Sequence, residues 1–428
     1  MAAYTFQKTV LENGITLVAE THPHVRSVCL GVWVKVGSSN ETPELNGMSH
    51  FIEHMVFKGT QKRSALELAT VLESLGGDLN AFTDREVTCY HATVLQEHVE
   101  LAVDVLSDLV LHPVFDKSQM ERERKVLLRE LSMVEESPDD WINDLFFQTV
   151  WKKHPLGQSI IGSKKTIQEM SRNSLLSFYD QYYRPDNIIV SAAGNVEFEK
   201  LKALCEKYFA LPAKQKFLPL KSPTPKFHSR SRAASADTDQ LHMLIGFEGL
   251  GFKSPQRFDA LVLSFFLGGG MSSRLFQEIR EKAALAYSVE CDFIPFSDSG
   301  VFTVYLATAP KSLKQCLAIL ARELQHLKET PLSEQELNLV KGQLKGTILL
   351  CADQMETRQE SLGRNEVVFG RYVPVEEIIE EIERVTPQRI QKLAQNVFVK
   401  GRESIVTLSR NKPRSARLNL FGEKGEVR

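Results

Sequence analysis

Two stretches of this chain read as strands, and each opens a similar series of elements. Val28-Cys29-Leu30-Gly31-Val32-Trp33-Val34-Lys35-Val36 and Leu241-His242-Met243-Leu244-Ile245-Gly246-Phe247 are short, mostly apolar and rich in β-branched or aromatic residues. After each come stretches of helical period, further strand-like runs, and a long helix introduced by proline. Pro113 leads the first such helix and Pro331 the second. Shifting the first of these segments by 217 residues places Thr347 opposite Glu130. Between the halves, residues 213–235 are rich in proline, serine and basic residues, and their apolar periodicity fades, as in a linker. The expected fold class is α+β: two similar α/β halves from a duplicated domain, each a mainly antiparallel sheet packed with helices. The expected boundaries are 1–212 for the first domain, 213–235 for the linker, 236–410 for the second, and 411–428 for a polar, poorly ordered tail.

The halves differ in one respect. The first contains His50-Phe51-Ile52-Glu53-His54, and the second has no such pattern. Residues on a helix advance by about 100° each, so positions i, i+3 and i+4 share a face. His50, Glu53 and His54 then point the same way, in the inverted H-x-x-E-H order of helical zinc proteases. Two neutral imidazoles offer nitrogen to a metal ion, and the carboxylate between them can hold a water beside it. The bland alternative is a helix whose two histidines cap a core face.

A catalytic zinc site wants a third protein ligand. The candidate is Glu130, in a Glu/Arg-rich segment from Met120 to Leu131 that reads as a helix with Val126, Leu127 and Met133 as its apolar stripe. Glu123 lies seven residues earlier, about two turns, and so on the same face. It would orient a ligand by a hydrogen bond. The alternative is that both glutamates are solvated surface charges.

Composition narrows the class. A chain of 428 residues is too long for one typical core, so two domains are expected. Hydrophobic content of 43%, charged content of 25% and a net charge of −2 are those of a soluble globular protein without bulk attraction to nucleic acid or anionic membranes. No apolar run approaches the roughly 20 residues needed to span a bilayer. The N-terminus shows neither a secretory signal nor an Arg-rich presequence, so a bacterial cytoplasmic location is expected, or the mitochondrial matrix if the chain is a mature form. The six cysteines are dispersed without a C-x-x-C pair, which suits reduced core residues and argues against a thiolate metal site. Gly268-Gly269-Gly270 precedes a helix, yet no G-x-x-x-x-G-K-[ST] follows, so phosphate binding is set aside.

Longer blocks resemble the M16 (pitrilysin, insulysin-type) metallopeptidases, and most of all their short members similar to the catalytic subunit of the mitochondrial processing peptidase. The blocks run from Gly47 to Thr60, from Gly76 to Thr83, from Glu123 to Glu130, from Tyr183 to Asn187 with Gly194-Asn195-Val196, and from Gly268 to Tyr287. The resemblance implies one Zn2+ per chain, held by His50, His54 and Glu130, with Glu53 as general base and Glu123 in support. It also implies that Asn80, Ala81 and Phe82 lie on an edge strand that pairs with substrate, and that Arg280 and Tyr287 of an inactive second repeat reach substrate carbonyls. Asp140 and Asp144 correspond to acidic positions that pair with a substrate arginine, which implies a preference for basic residues near the cut. The implied activity is zinc-dependent endopeptidase action on unfolded peptides, inside a closed clamshell chamber of which one chain forms half. The implied partners are peptides and a second copy of the chain, or a related inactive chain in a heterodimer. Two readings from other classes stand against this: a non-catalytic scaffold subunit of the same fold, and a module that binds peptides without cutting them. Relatives of the scaffold kind have usually lost metal ligands, whereas His50, Glu53, His54 and Glu130 are all present.

Overall fold

The computed structural model describes residues 4–211, 223–411 and 420–421. They form two open sheets. The first holds β1 (Thr5–Val10), β2 (Thr16–Thr21), β3 (Ser27–Val34), β4 (Asp78–Thr83), β5 (Thr88–Leu95) and β6 (Ile188–Gly194), in the order β1-β2-β6-β3-β5-β4. The second holds β7 (Ser231–Ser235), β8 (Leu241–Glu248), β9 (Ala286–Pro295), β10 (Gly300–Thr308) and β11 (Ser404–Ser409), in the order β7-β11-β8-β10-β9. Each sheet has one parallel pairing, β2 with β6 and β7 with β11, and all its other pairings are antiparallel. The series β2 to β6 and the series β7 to β11 therefore follow the same path, and β1 is an extra edge strand on the first.

Period-two alternation explains why the central strands are apolar almost throughout. On β3, Val28, Leu30, Val32 and Val34 enter one core with the helices Met48–Val56 and Val99–Leu111. Cys29 and Trp33 point to the other face, where they meet Met355 and Leu362 of the helix Met355–Phe369. The helix sits close: a Cβ on Gly31 would lie 1.8 Å from Gln359 Nε2, and one on Gly363 would lie 2.0 Å from Trp33 Nε1. Trp33 Nε1 and Gln359 Nε2 both donate to Ser191 Oγ, at 2.9 and 2.7 Å, so the polar atoms of this buried layer are satisfied. On β8, Leu241, Met243, Ile245 and Phe247 face one core, while Leu244 faces a second built around the helix Pro138–Val150. Here too a glycine makes room, for a Cβ on Gly246 would lie 2.1 Å from Phe146.

These two helices change the expected domain plan. The expected domains were contiguous, 1–212 and 236–410, and the compact units are not. One unit comprises Met1–Leu131, Gln158–Ser222 and Leu350–Val373; the other comprises Ser132–Gly157, Pro223–Leu349 and Pro374–Arg428. Each sheet is thus covered on one face by a helix drawn from the opposite half of the sequence. The physical reason is the buried apolar side of each helix: Ile142, Leu145, Phe146 and Val150 find their partners on β8, β10 and β11.

Two further expectations are corrected. Of the expected linker 213–235, residues 213–222 lie outside the described residues, and Ser231–Ser235 is strand β7 rather than linker. The tail was expected to be polar and poorly ordered; within it, Leu420 is buried in the second core, where its backbone N–H donates to Glu403 Oε1 at 3.2 Å. The rest of the tail, apart from Asn411 and Phe421, lies outside the described residues. Five of the six cysteines are buried, and Cys351 is exposed.

Candidate metal centre

The helix Met48–Val56 begins at Gly47, whose φ of +95° suits glycine. A Cβ there would also lie 2.4 Å from the Ile161 carbonyl oxygen. One face of the helix buries Phe51, Ile52 and Met55 in the first core. His50, Glu53 and His54 occupy the adjoining face and are half-buried. The histidine rings stand edge to face with centroids 4.7 Å apart.

Glu130 comes from the helix Lys117–Glu136. The expected apolar stripe on that helix is corrected: its buried face is Met120, Glu123, Leu127 and Leu131, while Met133 is 68% exposed. The actual stripe has the i, i+3, i+7, i+11 spacing of a helix face, and it carries Glu123 inward. Glu130 Oε2 lies 3.4 Å from His54 Nε2 and 3.9 Å from His50 Nε2. One ligand atom from each of the three residues falls within 4.8 Å of the other two.

The donor set fits zinc. Burial holds the His50 imidazole neutral, with its pKa down at about 3 and neighbouring His54 adding to the shift. Glu130 Oε2 is buried without a hydrogen-bond partner, an oxygen that a cation would satisfy. Two imidazoles and one carboxylate are also a set that catalytic zinc sites use. His54 has a support that His50 lacks. Its Nδ1 lies 3.2 Å from Glu123 Oε2, and Glu123 Oε1 lies 3.0 Å from Lys58 Nζ. A carboxylate there accepts a hydrogen bond from Nδ1–H, which favours the tautomer whose Nε2 keeps its lone pair toward Glu130. Lys58 stands four residues beyond His54, one helical turn on, yet nothing in the sequence pattern distinguished it from an ordinary surface lysine. Lys58→Met is expected to weaken zinc binding about tenfold, the lower end for loss of a supporting residue. Competition with a chromogenic chelator measures this; unchanged affinity would remove Lys58 from the chain of contacts.

Glu53 has its own anchor. Thr83 Oγ1 donates to Glu53 Oε2 at 2.5 Å. Burial raises the Glu53 pKa and Glu130 adds to the rise, while the Thr83 hydrogen bond and His54 oppose it. Thr83 was missed at the level of sequence, where it was one strand residue among several. It ends β4, so the strand proposed for substrate and the helix with the proposed base are joined by one hydrogen bond.

β4 also carries Asn80, Ala81 and Phe82. It is the last strand in its sheet, paired with β5 alone among the described residues. Asn80 Oδ1 accepts from the Ala81 N–H at 2.8 Å, and Phe82 packs edge to face on Trp33. The structure thus gathers His50, Glu53, His54, Glu123, Glu130 and β4 in the first unit. The other four residues singled out in the sequence belong to the second unit. Asp140 and Asp144 are on the helix Pro138–Val150, Arg280 lies over the Phe276 ring at 4.6 Å in the π-helical turn Phe276–Lys282, and Tyr287 is 62% exposed on β9.

The chain is similar to known proteins over most of its length. Residues 16–164 match the family described as Insulinase (Peptidase family M16), and residues 169–344 match the Peptidase M16 inactive domain. An uncharacterized zinc protease of Bacillus subtilis, YmxG, is 39% identical over 388 residues, covering 90% of this chain and 94% of its own. An uncharacterized zinc protease of Streptomyces coelicolor is 37% identical and covers 92% of this chain and 87% of its own. Among solved structures, a protease from Helicobacter pylori superposes with a TM-score of 0.89 at 22% identity, covering 95% of this chain and 99% of that one. A peptidase M16 inactive domain structure from Pseudomonas fluorescens gives 0.86 at 18% identity, over 95% and 98%. At those identities the two structures speak for the fold.

Proposed function

We propose that this chain, which belongs to peptidase family M16, is a zinc metalloendopeptidase whose active site is built on His50, Glu53, His54 and Glu130. The observation that carries the reading is convergence: ligand atoms of His50, His54 and Glu130 lie within 4.8 Å of one another, and Glu53 shares the helix of the two histidines. These three residues would hold the zinc ion, whose positive charge would polarise a scissile carbonyl and acidify a water. Glu53 takes the proton of the attacking water and returns it to the leaving amine. The Thr83 hydroxyl fixes one carboxylate oxygen and leaves the other to meet the water. Glu123 and Lys58 hold His54 in the tautomer that offers Nε2.

A finer reading extends this. The open edge of β4, with Asn80, Ala81 and Phe82, receives an extended peptide as an added strand. Arg280 and Tyr287 serve as hydrogen-bond donors to substrate carbonyls. The substrates are unfolded peptides, taken into a closed chamber that a second copy of the chain completes, and Asp140 and Asp144 favour basic residues near the cut. Among the described residues no helix is long and apolar enough to cross a membrane.

The test is digestion of matched flexible peptides, with and without arginine, read by mass spectrometry alongside the native mass. Internal cleavage that a chelator abolishes and zinc restores is the expected result, with faster cutting near arginine and a dimeric mass. Intact peptides in the presence of stoichiometric zinc would overturn the enzyme reading in favour of a peptide-binding or scaffold role. Equal cutting of both peptides would overturn only the specificity.

A further inference from the structure

We propose that Glu41 is a positioning residue of the metal centre: its buried side chain fixes the first turn of the helix that carries His50, Glu53 and His54. The inference rests on the metal reading above and concerns a residue outside the H-x-x-E-H motif.

The helix Met48–Val56 has a capping problem. The first N–H groups of any helix lack intrahelical partners. The helices Ala65–Glu73, Lys164–Glu169 and Arg172–Tyr182 solve it locally, with Ser64, Ser163 and Ser171 as N-caps whose side chains accept from the first turn. The metal helix has Gly47 at its N-cap, required by its φ and by the approach of Ile161, and glycine has no side chain to offer. Glu41 supplies the acceptors from outside the helix. Its Oε2 accepts from the Gly47 N–H at 2.7 Å and from Asn46 Nδ2 at 3.1 Å, and its Oε1 accepts from the Ser49 N–H at 2.7 Å. The side chain is 2% exposed, so water does not substitute for these bonds. A carboxylate also complements the positive end of the helix dipole.

Asn46 links this cap to a second loop, because its Nδ2 also donates to the Ser159 carbonyl at 2.7 Å. A Cβ on Gly162 would lie 2.5 Å from the Asn46 carbonyl oxygen, so the two loops touch backbone to backbone. The first turn is therefore held from one side by Glu41 and from the other by residues 159–162. His50 follows Ser49 directly, and the helix is only nine residues long. A displacement of the Ser49 N–H has no intervening turn in which to relax before it reaches His50. Zinc–ligand distances fall within about 0.2 Å of their usual values, so loosening this turn is expected to cost metal affinity.

Glutamine is the informative substitution. It keeps size and shape, but its amide presents a donor where three donors converge. Burial pushes the Glu41 carboxyl up to about 7, while the bonds from Ser49, Gly47 and Asn46 hold it down. Measurements therefore belong at about pH 8, where the carboxylate is ionised. E41Q is expected to bind zinc at least about tenfold more weakly than the unaltered chain and to shift the visible bands of the cobalt-substituted protein, which report ligand geometry. S64A is the control. It removes an exposed N-cap from a helix of the same unit that carries none of the site residues, so it is expected to lower the Tm of the metal-free protein without changing zinc affinity or the cobalt spectrum. E41D keeps the charge with one methylene less, and its zinc affinity is expected to fall between those of E41Q and the unaltered chain.

Zinc affinity of E41Q within about twofold of the unaltered chain would overturn the proposal, as would an equal loss in S64A at matched Tm. If E41Q does not fold, E41D decides the matter, and unchanged zinc affinity there overturns the proposal. Failure of the unaltered chain to take up zinc would instead overturn the metal reading beneath it.

Discussion

Glu53→Gln is expected to bind zinc as tightly as the unaltered chain and to cleave peptides about 10²–10⁴-fold more slowly, the range that a positioned general base contributes. The substitution is nearly isosteric. The introduced amide still presents an oxygen to the Thr83 hydroxyl, which donates to the native carboxylate at 2.5 Å, so the helix keeps its tie to β4. None of the three ligands is touched, because Glu53 lies beside the metal set and is not part of it. What disappears is the ability to accept and return a proton, since an amide is neutral and weakly basic across the working range. Zinc content by elemental analysis and kcat/KM on a fluorogenic peptide measure the two halves of the expectation. Full zinc with full activity would remove Glu53 from the mechanism. Loss of zinc would mean that it supports the metal set directly.

His54→Ala is expected to lose both zinc and activity. His54 is the most connected member of the set, with Nε2 at 3.4 Å from Glu130 and Nδ1 at 3.2 Å from Glu123. Alanine removes a ligand and leaves Glu123 facing Lys58 with nothing to orient. The loss in zinc affinity should exceed the about 10–100-fold that removal of a supporting residue costs. A linked readout needs no substrate. A metal that binds only the folded state stabilises it by about 2.7 kcal/mol at a hundred times Kd, and Tm therefore rises with metal concentration. Zinc should therefore raise the Tm of the unaltered chain and of Glu53→Gln equally, and leave that of His54→Ala unmoved. A zinc-dependent rise in His54→Ala as large as in the unaltered chain would place the bound ion elsewhere.

How much of this was legible in the sequence depends on the range over which each feature acts. The H-x-x-E-H face is a local fact of helical period, and the structure keeps it: His50, Glu53 and His54 share one side of a single helix. Strands β3 and β8 were legible as apolar runs, and the antiparallel character of both sheets followed from the expected fold class. Glu130 was harder. Its helix pattern placed it on a face with Glu123, but only the resemblance brought that face to the histidines, because periodicity says nothing about which helix meets which. The same limit hid the two exchanged helices. The apolar side of Pro138–Val150 shows in its sequence, while its seat on the second sheet depends on the partner surface around Gly246. Thr83, Lys58 and Glu41 went unseen for the converse reason. Each acts through one specific hydrogen bond or a few, and a lone threonine, lysine or glutamate carries no periodic signal. In hindsight Gly47 held a clue to Glu41, since a helix that opens on glycine must find its cap elsewhere.

The most direct test of the whole account is anomalous diffraction at the zinc edge from crystals of the zinc-loaded chain. One anomalous peak per chain, at about 2.0–2.2 Å from a nitrogen of His50, a nitrogen of His54 and an oxygen of Glu130, is the expected result. A peak at other residues, or none in protein that elemental analysis finds to hold one zinc per chain, would contradict it.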